Sequence, residues 1–214
     1  MDANREGRDG PPGDEPVLLV HGYGDTGHSP WWRTLADHFY DSGYTRDAVE
    51  TLSLGWLPGT TVGSPERYAR RIGRAVERLR DRHDSRVDVV AHSMGGLGVR
   101  WYVEREDGAP NVHDLVTLGT PHQGTALARA GSWTPGGRAM LPGSDFLRTL
   151  NGRRLPRAVN YTAVWSEDDE AVLPGHRARL PFTASNVRNV RVRGPGHIGL
   201  VTSHDVFDSY AETL

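Results

Sequence analysis

The fold is decided by residues 87–101, which have the sequence VDVVAHSMGGLGVRW. The run VDVV is typical of a buried strand, and the residues after Ser93 are compatible with a helix that begins at Met94. A strand, a sharp turn that carries a serine, and a helix starting at the next residue together form a nucleophile elbow. Residues two positions before and after such a serine approach the neighbouring strand and helix closely, so they must be small. Ala91 and Gly95 meet that requirement, and the sequence therefore predicts an elbow with Ser93 at its tip.

The chain on either side of this elbow alternates between short apolar runs and longer stretches with helical periodicity. The best helix signal lies in residues 64–83, where Ser64 is a candidate N-cap, Pro65 occupies the first helical position and apolar residues recur on one face. We predict strands at residues 16–20, 48–52, 86–90, 114–118, 161–165 and 187–192, and further helices at residues 31–40, 94–105, 144–150 and 202–214. Such alternation predicts an α/β fold, with a mostly parallel sheet of about six strands and helices on both faces. Residues 119–157 lack clear periodicity, and we expect surface loops there around one helix.

The composition limits the classes of function. The 214 residues fit one domain, which we place at residues 16–214 after a flexible polar tail at residues 1–15. The formal net charge of −2 gives no field that would recruit nucleic acid or an anionic membrane. The chain has no cysteine, which excludes thiolate catalysis, and no apolar run long enough for a membrane span or a secretory signal. If Met1 is the native start, we expect a cytoplasmic protein; secretion after processing is the alternative.

Two backbone amides near the elbow are candidate donors to a developing oxyanion. The N–H of Met94 lies at the positive end of the helix that begins there. The segment VLLVHGYGDTG, residues 17–27, contains a glycine-rich bend directly after the first strand. This bend would turn the N–H of Tyr23 toward the same point. A serine beside two such donors can attack a carbonyl group if a base takes up its proton.

The base is sought among ten histidines. His197 lies in RGPGHIGL, just beyond the last predicted strand, at the carboxyl edge where the active sites of open parallel sheets gather. His21 adjoins the HG bend and His92 adjoins the elbow, so both are expected to brace local structure. The other histidines are interpreted as surface or loop residues; they are His28, His38, His83, His113, His122, His176 and His204.

The third residue needed is a carboxylate that orients the imidazole, and the chain order in such folds is serine, acid, histidine. The stretch SEDDEAVLP, residues 166–174, follows a predicted strand and offers Glu167, Asp168, Asp169 and Glu170. Asp169 begins the pattern D-x-x-V-x-P and is preferred, with Asp168 as the alternative. The other acids of this stretch are interpreted as a solvated acidic turn.

Together these motifs resemble the α/β-hydrolase family, and within it the small bacterial lipases and esterases. HGYG, AHSMGG, TLGTPHQGT, DEAVLP and GHIGL occur in that family's order along the chain, and AHSMGG and GHIGL are similar to the minimal lidless lipases of the class 2 type. The elbow departs from the usual G-x-S-x-G pattern because alanine replaces the first glycine. The resemblance implies a catalytic triad of Ser93, Asp169 and His197, with Tyr23 and Met94 as oxyanion-hole donors.

The resemblance also bears on metals, lids and the acyl pocket. No metal is implied, because calcium-binding lipases carry an aspartate soon after the catalytic histidine, whereas His197 is followed by the apolar run IGL; no cofactor is expected. Residues 119–157 are longer than a lidless enzyme needs but lack the amphipathic helix expected of a lid, so we expect little interfacial activation. Candidate walls for an acyl chain are Tyr23, Trp31, Trp133, Met140, Leu141, Val172, Leu173 and Ile198.

The predicted function is hydrolysis of carboxylic esters or lipids through an acyl-enzyme, by a protein that we expect to be a monomer. Because the imidazole must be neutral to accept a proton, activity should fall as the pH drops through the ordinary histidine pKa of about 6.5. An acyltransferase, a thioesterase or an amidase could share the same triad, and a non-catalytic binding module could share the fold.

Overall fold

The computed structural model describes residues 15–214; the predicted tail, apart from Glu15, lies outside the described residues. Six strands form one sheet in the order β2-β1-β3-β4-β5-β6. All neighbouring strands run parallel, which confirms the predicted parallel sheet. The strands are β1 Val17–Val20, β2 Val49–Leu52, β3 Val87–His92, β4 Val112–Leu118, β5 Asn160–Ser166 and β6 Val187–Val192.

Helices cover both faces of this sheet. They are α1 Pro30–Asp41, α2 Pro65–His83, α3 Met94–Arg105, α4 Pro135–Ala139, α5 Asp145–Asn151, α6 Gly199–Thr202 and α7 His204–Ala211, and short 3₁₀ turns lie at Ala109–Asn111, Ala126–Gly131 and Gly175–Ala178. Side chains of β1 alternate between two cores. Leu18 and Val20 pack with α2, α3 and α5 on one face, whereas Val17 and Leu19 pack with α1 and α7 on the other. This period-two alternation of apolar side chains on both faces is expected of a strand at the centre of a doubly covered sheet.

The predicted C-terminal helix at residues 202–214 is confirmed as α7, which is shorter at both ends, and the separate short helix α6 precedes it. Ser203 has extended backbone angles (φ −77°, ψ 128°), which end α6, and its side chain accepts a hydrogen bond from the N–H of Val206 at the start of α7. Serine competes in this way with helix continuation because its hydroxyl can replace a backbone acceptor.

The segment at residues 119–157 contains the helix predicted at residues 144–150, but the rest of it is more structured than the expected surface loops. The segment contains α4, α5 and a 3₁₀ turn, with Ser144 as the N-cap of α5, and Met140, Phe146, Leu147 and Leu150 are buried in the core. Its single expected helix is therefore one part of a packed layer beside the sheet.

Because all six strands are parallel, their carboxyl ends lie at one edge of the sheet. The loops after β1, β3, β5 and β6 carry the predicted site residues. The strand order reverses between β1 and β3, and ligand sites of open parallel sheets are found at such a reversal. Within residues 15–214, no helix is long and apolar enough to cross a membrane.

Candidate active site

Ser93 stands in a strained turn between β3 and α3. Its backbone φ is +55° with ψ −133°, a region that non-glycine residues rarely adopt. The N–H of Ser93 donates to the carbonyl of Leu118, 2.9 Å away, which fixes the turn to β4. A Cβ atom at Gly95 would lie 2.5 Å from the carbonyl oxygen of His21. Only glycine therefore fits two positions after the serine, in the geometry that the sequence predicted for an elbow.

The glycine-rich bend after β1 packs directly against this turn. A Cβ atom at Gly22 would lie 2.6 Å from the Cβ of Ser93 and 3.1 Å from the backbone nitrogen of Met94. Among the described residues, the backbone N–H groups of Tyr23 and Met94 have no hydrogen-bond acceptor. Two unsatisfied amides beside a serine are the arrangement required of donors to an oxyanion.

His197 and Asp169 face each other across the loops after β6 and β5. The Nδ1 atom of His197 lies 2.9 Å from Oδ2 of Asp169. Asp169 is buried, and its Oδ1 accepts hydrogen bonds from the N–H groups of Ala171 (2.8 Å) and Val172 (2.9 Å). With three partners the carboxylate has one orientation, and it holds Nδ1 as the protonated nitrogen. The other ring nitrogen, Nε2, is then left to act as a base.

The acids on either side of Asp169 hold the backbone of the same histidine loop. Oδ2 of Asp168 accepts from the N–H of Gly194 (2.8 Å), and Oε2 of Glu170 accepts from the N–H of His197 itself (2.9 Å). The structure thus brings Asp169, and not Asp168, to the imidazole. Asp168 and Glu170 are exposed, but they bind a specific loop and the interpretation as a merely solvated turn misses that role.

Gly119, at the end of β4, is a site residue that the sequence reasoning missed. Its φ is +55°, and a Cβ atom there would lie 2.8 Å from Oδ2 of Asp169 and 3.1 Å from Nδ1 of His197. Glycine is needed for both the backbone angle and the close approach. The signal in the sequence is its position, directly after a buried strand in TLGTP.

His92 and His21 brace the site, as predicted. Nε2 of His92 faces the carbonyl oxygen of His197 at 3.1 Å, and burial, together with the nearby His197, holds the pKa of His92 well below its ordinary value. The ring is therefore neutral, and its Nε2–H donates to that carbonyl. Nε2 of His21 accepts from the N–H of Leu54 (2.7 Å), and burial lowers the pKa of His21 as well.

The prediction that His122 is a surface or loop residue is wrong. Its side chain is fully buried between Thr117 and Arg100.

Two cavities adjoin Ser93, and Tyr23, Ser93 and His197 line both. The first has a volume of about 740 Å³ and is also lined by Trp31, Trp56 and Ile198. Asp25 fixes the Trp31 wall, because its Oδ2 accepts from Nε1 of Trp31 (3.0 Å) and from Nε1 of the buried Trp32 (2.9 Å).

The second cavity, of about 510 Å³, is more uniformly apolar and is formed largely by the segment at residues 119–157. Of the predicted acyl-chain walls, Tyr23, Trp133, Met140 and Val172 line this cavity, and Trp31 and Ile198 line the first; Leu141 and Leu173 line neither. Three wall residues were not predicted from the sequence; they are Trp56, Leu57 and Leu127.

Of the six large apolar side chains that are exposed within residues 15–214, five line these two cavities. Trp56 is 93% exposed and Trp133 is 78% exposed; they stand at the first and the second cavity respectively. Leu57, Leu127 and Ile198 are exposed beside them. Scattered apolar side chains are ordinary on protein surfaces, whereas a cluster around one opening indicates a site for an apolar ligand.

Structural comparison shows that the chain shares its fold with solved lipases. A lipase of Bacillus licheniformis in its mature form superposes with a TM-score of 0.78 at 15% identity, over 97% of this chain and 95% of that one. Lipase B of Aspergillus fumigatus gives a TM-score of 0.69 at 21% identity, over 87% of this chain and 49% of that one. A monoacylglycerol lipase of Paleococcus ferrophilus gives 0.64 at 14% identity, over 95% and 93%. The fold is thus the α/β-hydrolase fold predicted from the motifs.

The amino-acid sequence also matches a defined family. Residues 2–135, well over half of the chain and inclusive of the HGYG bend and the elbow, match the family described as a domain of unknown function, DUF7379. The chain therefore belongs to the DUF7379 family.

Proposed function

We propose that this protein is a serine hydrolase of carboxylic esters, of the esterase or lipase type. The observation that carries the proposal is the 2.9 Å approach of His197 Nδ1 to Asp169 Oδ2 in a site where His197 lines the same two cavities as Ser93. The positive φ of Ser93 and the two unsatisfied amides beside it support the same assignment. Ser93 is the proposed nucleophile, His197 the base, Asp169 the orienting acid, and Tyr23 and Met94 the oxyanion donors.

In the first half of the reaction, Ser93 Oγ attacks the ester carbonyl carbon while Nε2 of His197 accepts the hydroxyl proton. The negative charge that develops on the carbonyl oxygen is stabilised by the N–H groups of Tyr23 and Met94, each contributing on the order of 3–4 kcal/mol by analogy with other oxyanion holes. The C–O bond to the alcohol then breaks, and the alcohol leaves with the proton from Nε2. The product of this half is an ester between Ser93 and the acyl group.

In the second half, water replaces the alcohol. Nε2 of His197 removes a proton from water as the water oxygen attacks the acyl carbon, and the same proton returns to Ser93 Oγ when the carboxylic acid leaves. Asp169 stays ionised throughout and stabilises the imidazolium that forms in each half. The two cavities would hold the two sides of the ester, and their apolar walls favour substrates with apolar groups on at least one side.

The proposal is tested with p-nitrophenyl esters of graded acyl length and with the Ser93→Ala variant. We expect wild-type turnover and a loss of more than about 10⁴-fold in kcat for Ser93→Ala. Ser185→Ala, at an exposed serine away from the two cavities, is the matched control and should keep full activity. Retained turnover in folded Ser93→Ala protein would refute the assignment of the nucleophile.

A second measurement separates ester hydrolysis from related functions. A fluorophosphonate probe should label wild-type protein at Ser93; no labelling of folded protein would instead support a binding module that shares the fold. With a low concentration of added alcohol in water, the free carboxylic acid should remain the main product, whereas the transferred ester as the main product would identify an acyltransferase. Parallel thioester and amide substrates should turn over more slowly than the matched oxygen ester.

A further inference from the structure

A second cluster of chemically capable side chains lies at the opposite end of the sheet from Ser93. Glu15 precedes β1, Asp88 is the second residue of β3 and His113 is the second residue of β4. Since β1, β3 and β4 are neighbours and run parallel, their amino ends bring these three residues together. One ligand-type atom from each lies within 4.8 Å of the other two.

An irregularity in the sheet produces this convergence. Val87 pairs with Val112 but Val89 pairs with Leu115, so β4 has one residue more than β3 over this interval. The bulge places both His113 and Asp114 opposite Asp88, although adjacent residues of a regular strand point to opposite faces. As a result, Nδ1 of His113 lies 2.8 Å from Oδ2 of Asp114, 3.3 Å from Oδ1 of Asp88 and 3.9 Å from Oε1 of Glu15.

The polar atoms of this cluster are not fully satisfied by one another. Asp88 is completely buried, yet its Oδ2 has no hydrogen-bond partner among residues 15–214. Nδ1 of His113 is also buried, and it lies close to the carboxylates of Asp114 (2.8 Å) and Asp88 (3.3 Å). A buried carboxylate oxygen without a partner costs roughly 1–3 kcal/mol or more. A bound cation would offset this cost, and so would a proton, because burial raises the pKa of Asp88.

We propose that Glu15, Asp88 and His113 form a binding site for a divalent transition-metal ion that cross-links the amino ends of three neighbouring strands. Metal–ligand distances of about 2.0–2.2 Å separate two ligand atoms by up to about 4.4 Å, so small side-chain rotations bring the three atoms into range. One imidazole nitrogen with carboxylate oxygens suits Zn²⁺ or Mn²⁺ better than Ca²⁺ or Mg²⁺, which prefer oxygen ligands alone. Asp114, beside His113, adds a further carboxylate to the surroundings.

The competing occupant is a proton on the imidazole. The Asp114 carboxylate, followed by that of Asp88, raises the pKa of His113 to about 9, so a metal-free protein would hold an imidazolium among carboxylates. An imidazolium supplies one positive charge near the carboxyl groups of Glu15, Asp88 and Asp114. A divalent ion supplies two, and it can also bind Oδ2 of Asp88, which has no hydrogen-bond partner among the described residues. Binding of the ion displaces the proton. His113 and Glu15 are partly exposed, which provides a path for entry.

The test uses untagged, chelator-treated protein titrated with ZnCl₂ or MnCl₂, with calorimetry for stoichiometry and thermal unfolding for stabilisation. The absence of cysteine in the chain removes thiolates as competing ligands. We expect one ion per chain and a rise in Tm of roughly 5–10 °C at a free-metal concentration about 100 times Kd. His113→Gln should abolish the rise.

His204→Gln is the matched control, since Nδ1 of His204 also faces a carboxylate, that of Asp208 at 3.1 Å, but at the surface and without further acids. This variant should keep both the stoichiometry and the rise in Tm. If His113→Gln does not fold, Glu15→Gln replaces it, and it should weaken binding at least about tenfold. No saturable binding by wild-type protein, or unchanged binding by the folded variants, would overturn the proposal and identify the proton as the sole occupant. The outcome is independent of ester hydrolysis, which occurs at the other edge of the sheet.

Discussion

Replacing Asp169 by asparagine should change which nitrogen of His197 carries the proton. Oδ1 of Asp169 accepts hydrogen bonds from the N–H groups of Ala171 and Val172, so in the variant this position must be taken by the amide oxygen. The amide NH₂ group then occupies the place of Oδ2, 2.9 Å from His197 Nδ1, and donates to it. Nδ1 must become an acceptor, and the ring proton moves to Nε2.

An imidazole protonated at Nε2 cannot accept the proton of Ser93. The same substitution in a triad of known mechanism lowers kcat by about 10⁴-fold, which corresponds to about 5 kcal/mol of transition-state stabilisation. We expect a loss of this size in kcat with KM nearly unchanged, because the cavities proposed to bind the ester are not altered. Stability should change little, since the new amide keeps the size and the two backbone hydrogen bonds of the carboxylate.

The assay is steady-state hydrolysis of a p-nitrophenyl ester, with urea unfolding to establish that each variant is folded. Asp168→Asn is the matched control. Its amide oxygen can still accept from the N–H of Gly194, and we expect kcat within about threefold of wild type, the range of an ordinary surface substitution. A loss below tenfold in Asp169→Asn, or an equal loss in Asp168→Asn, would refute the assignment of Asp169 as the orienting acid.

Three further predictions concern the surroundings of the proposed triad. Gly119→Ala should cost roughly 1–2 kcal/mol of stability, because the backbone φ at this position is positive. It should also lower kcat, because the new methyl group would displace Asp169 and His197. Gly143→Ala is the control: its φ is +74° with open space around it, so it should show the stability loss alone. Burial lowers the pKa of His21, His92 and His122 in the folded protein. Below pH ~6.5 the unfolded chain therefore binds more protons than the folded protein does, and the free energy of unfolding should fall as the pH drops toward 5. His122→Gln should reduce that slope by up to about 1.4 kcal/mol per pH unit in urea unfolding, and an unchanged slope would contradict the pKa argument. Trp133→Ala should lower kcat/KM for long-chain esters while acetate hydrolysis is unchanged; an equal loss on both would show that Trp133 does not line the acyl pocket.

The sheet and the elbow could be predicted because their signals are local. Each strand is a short apolar run, and β3, the serine turn and α3 are contiguous in the chain, so steric demands on Ala91 and Gly95 can be recognised without the fold. His197 and Asp169 could be predicted because parallel topology sends the carboxyl end of every strand to one edge. Ser93 follows β3, Asp169 follows β5 and His197 follows β6, so all three residues lie at that edge.

The segment at residues 119–157 was not predictable by the same means, because non-local polar contacts hold it in place. Arg100, on α3, is fully buried; it binds Glu104 through Nε and Nη2, and its Nη1 donates to Asn151 and lies 3.2 Å from His122 Nδ1. An arginine in a helix is usually a surface residue, and no periodicity shows that it will anchor a segment up to 51 residues away. The buried network replaces the continuous apolar face that a sequence pattern would reveal.

The consecutive acids at residues 168–170 show the same limit on a smaller scale. Three carboxylates in a row have nearly equal chemistry, yet Asp168 binds Gly194, Asp169 binds the imidazole of His197 and Glu170 binds the backbone of His197. What separates them is the turn after β5, in which the N–H groups of Ala171 and Val172 fold back onto Asp169 and draw it into the protein. The pattern D-x-x-V-x-P identifies this turn indirectly, since the buried Val172 pulls the preceding residues inward. The choice among the three acids is therefore made by the backbone amides that fold back onto one of them, and the side chains alone do not distinguish them.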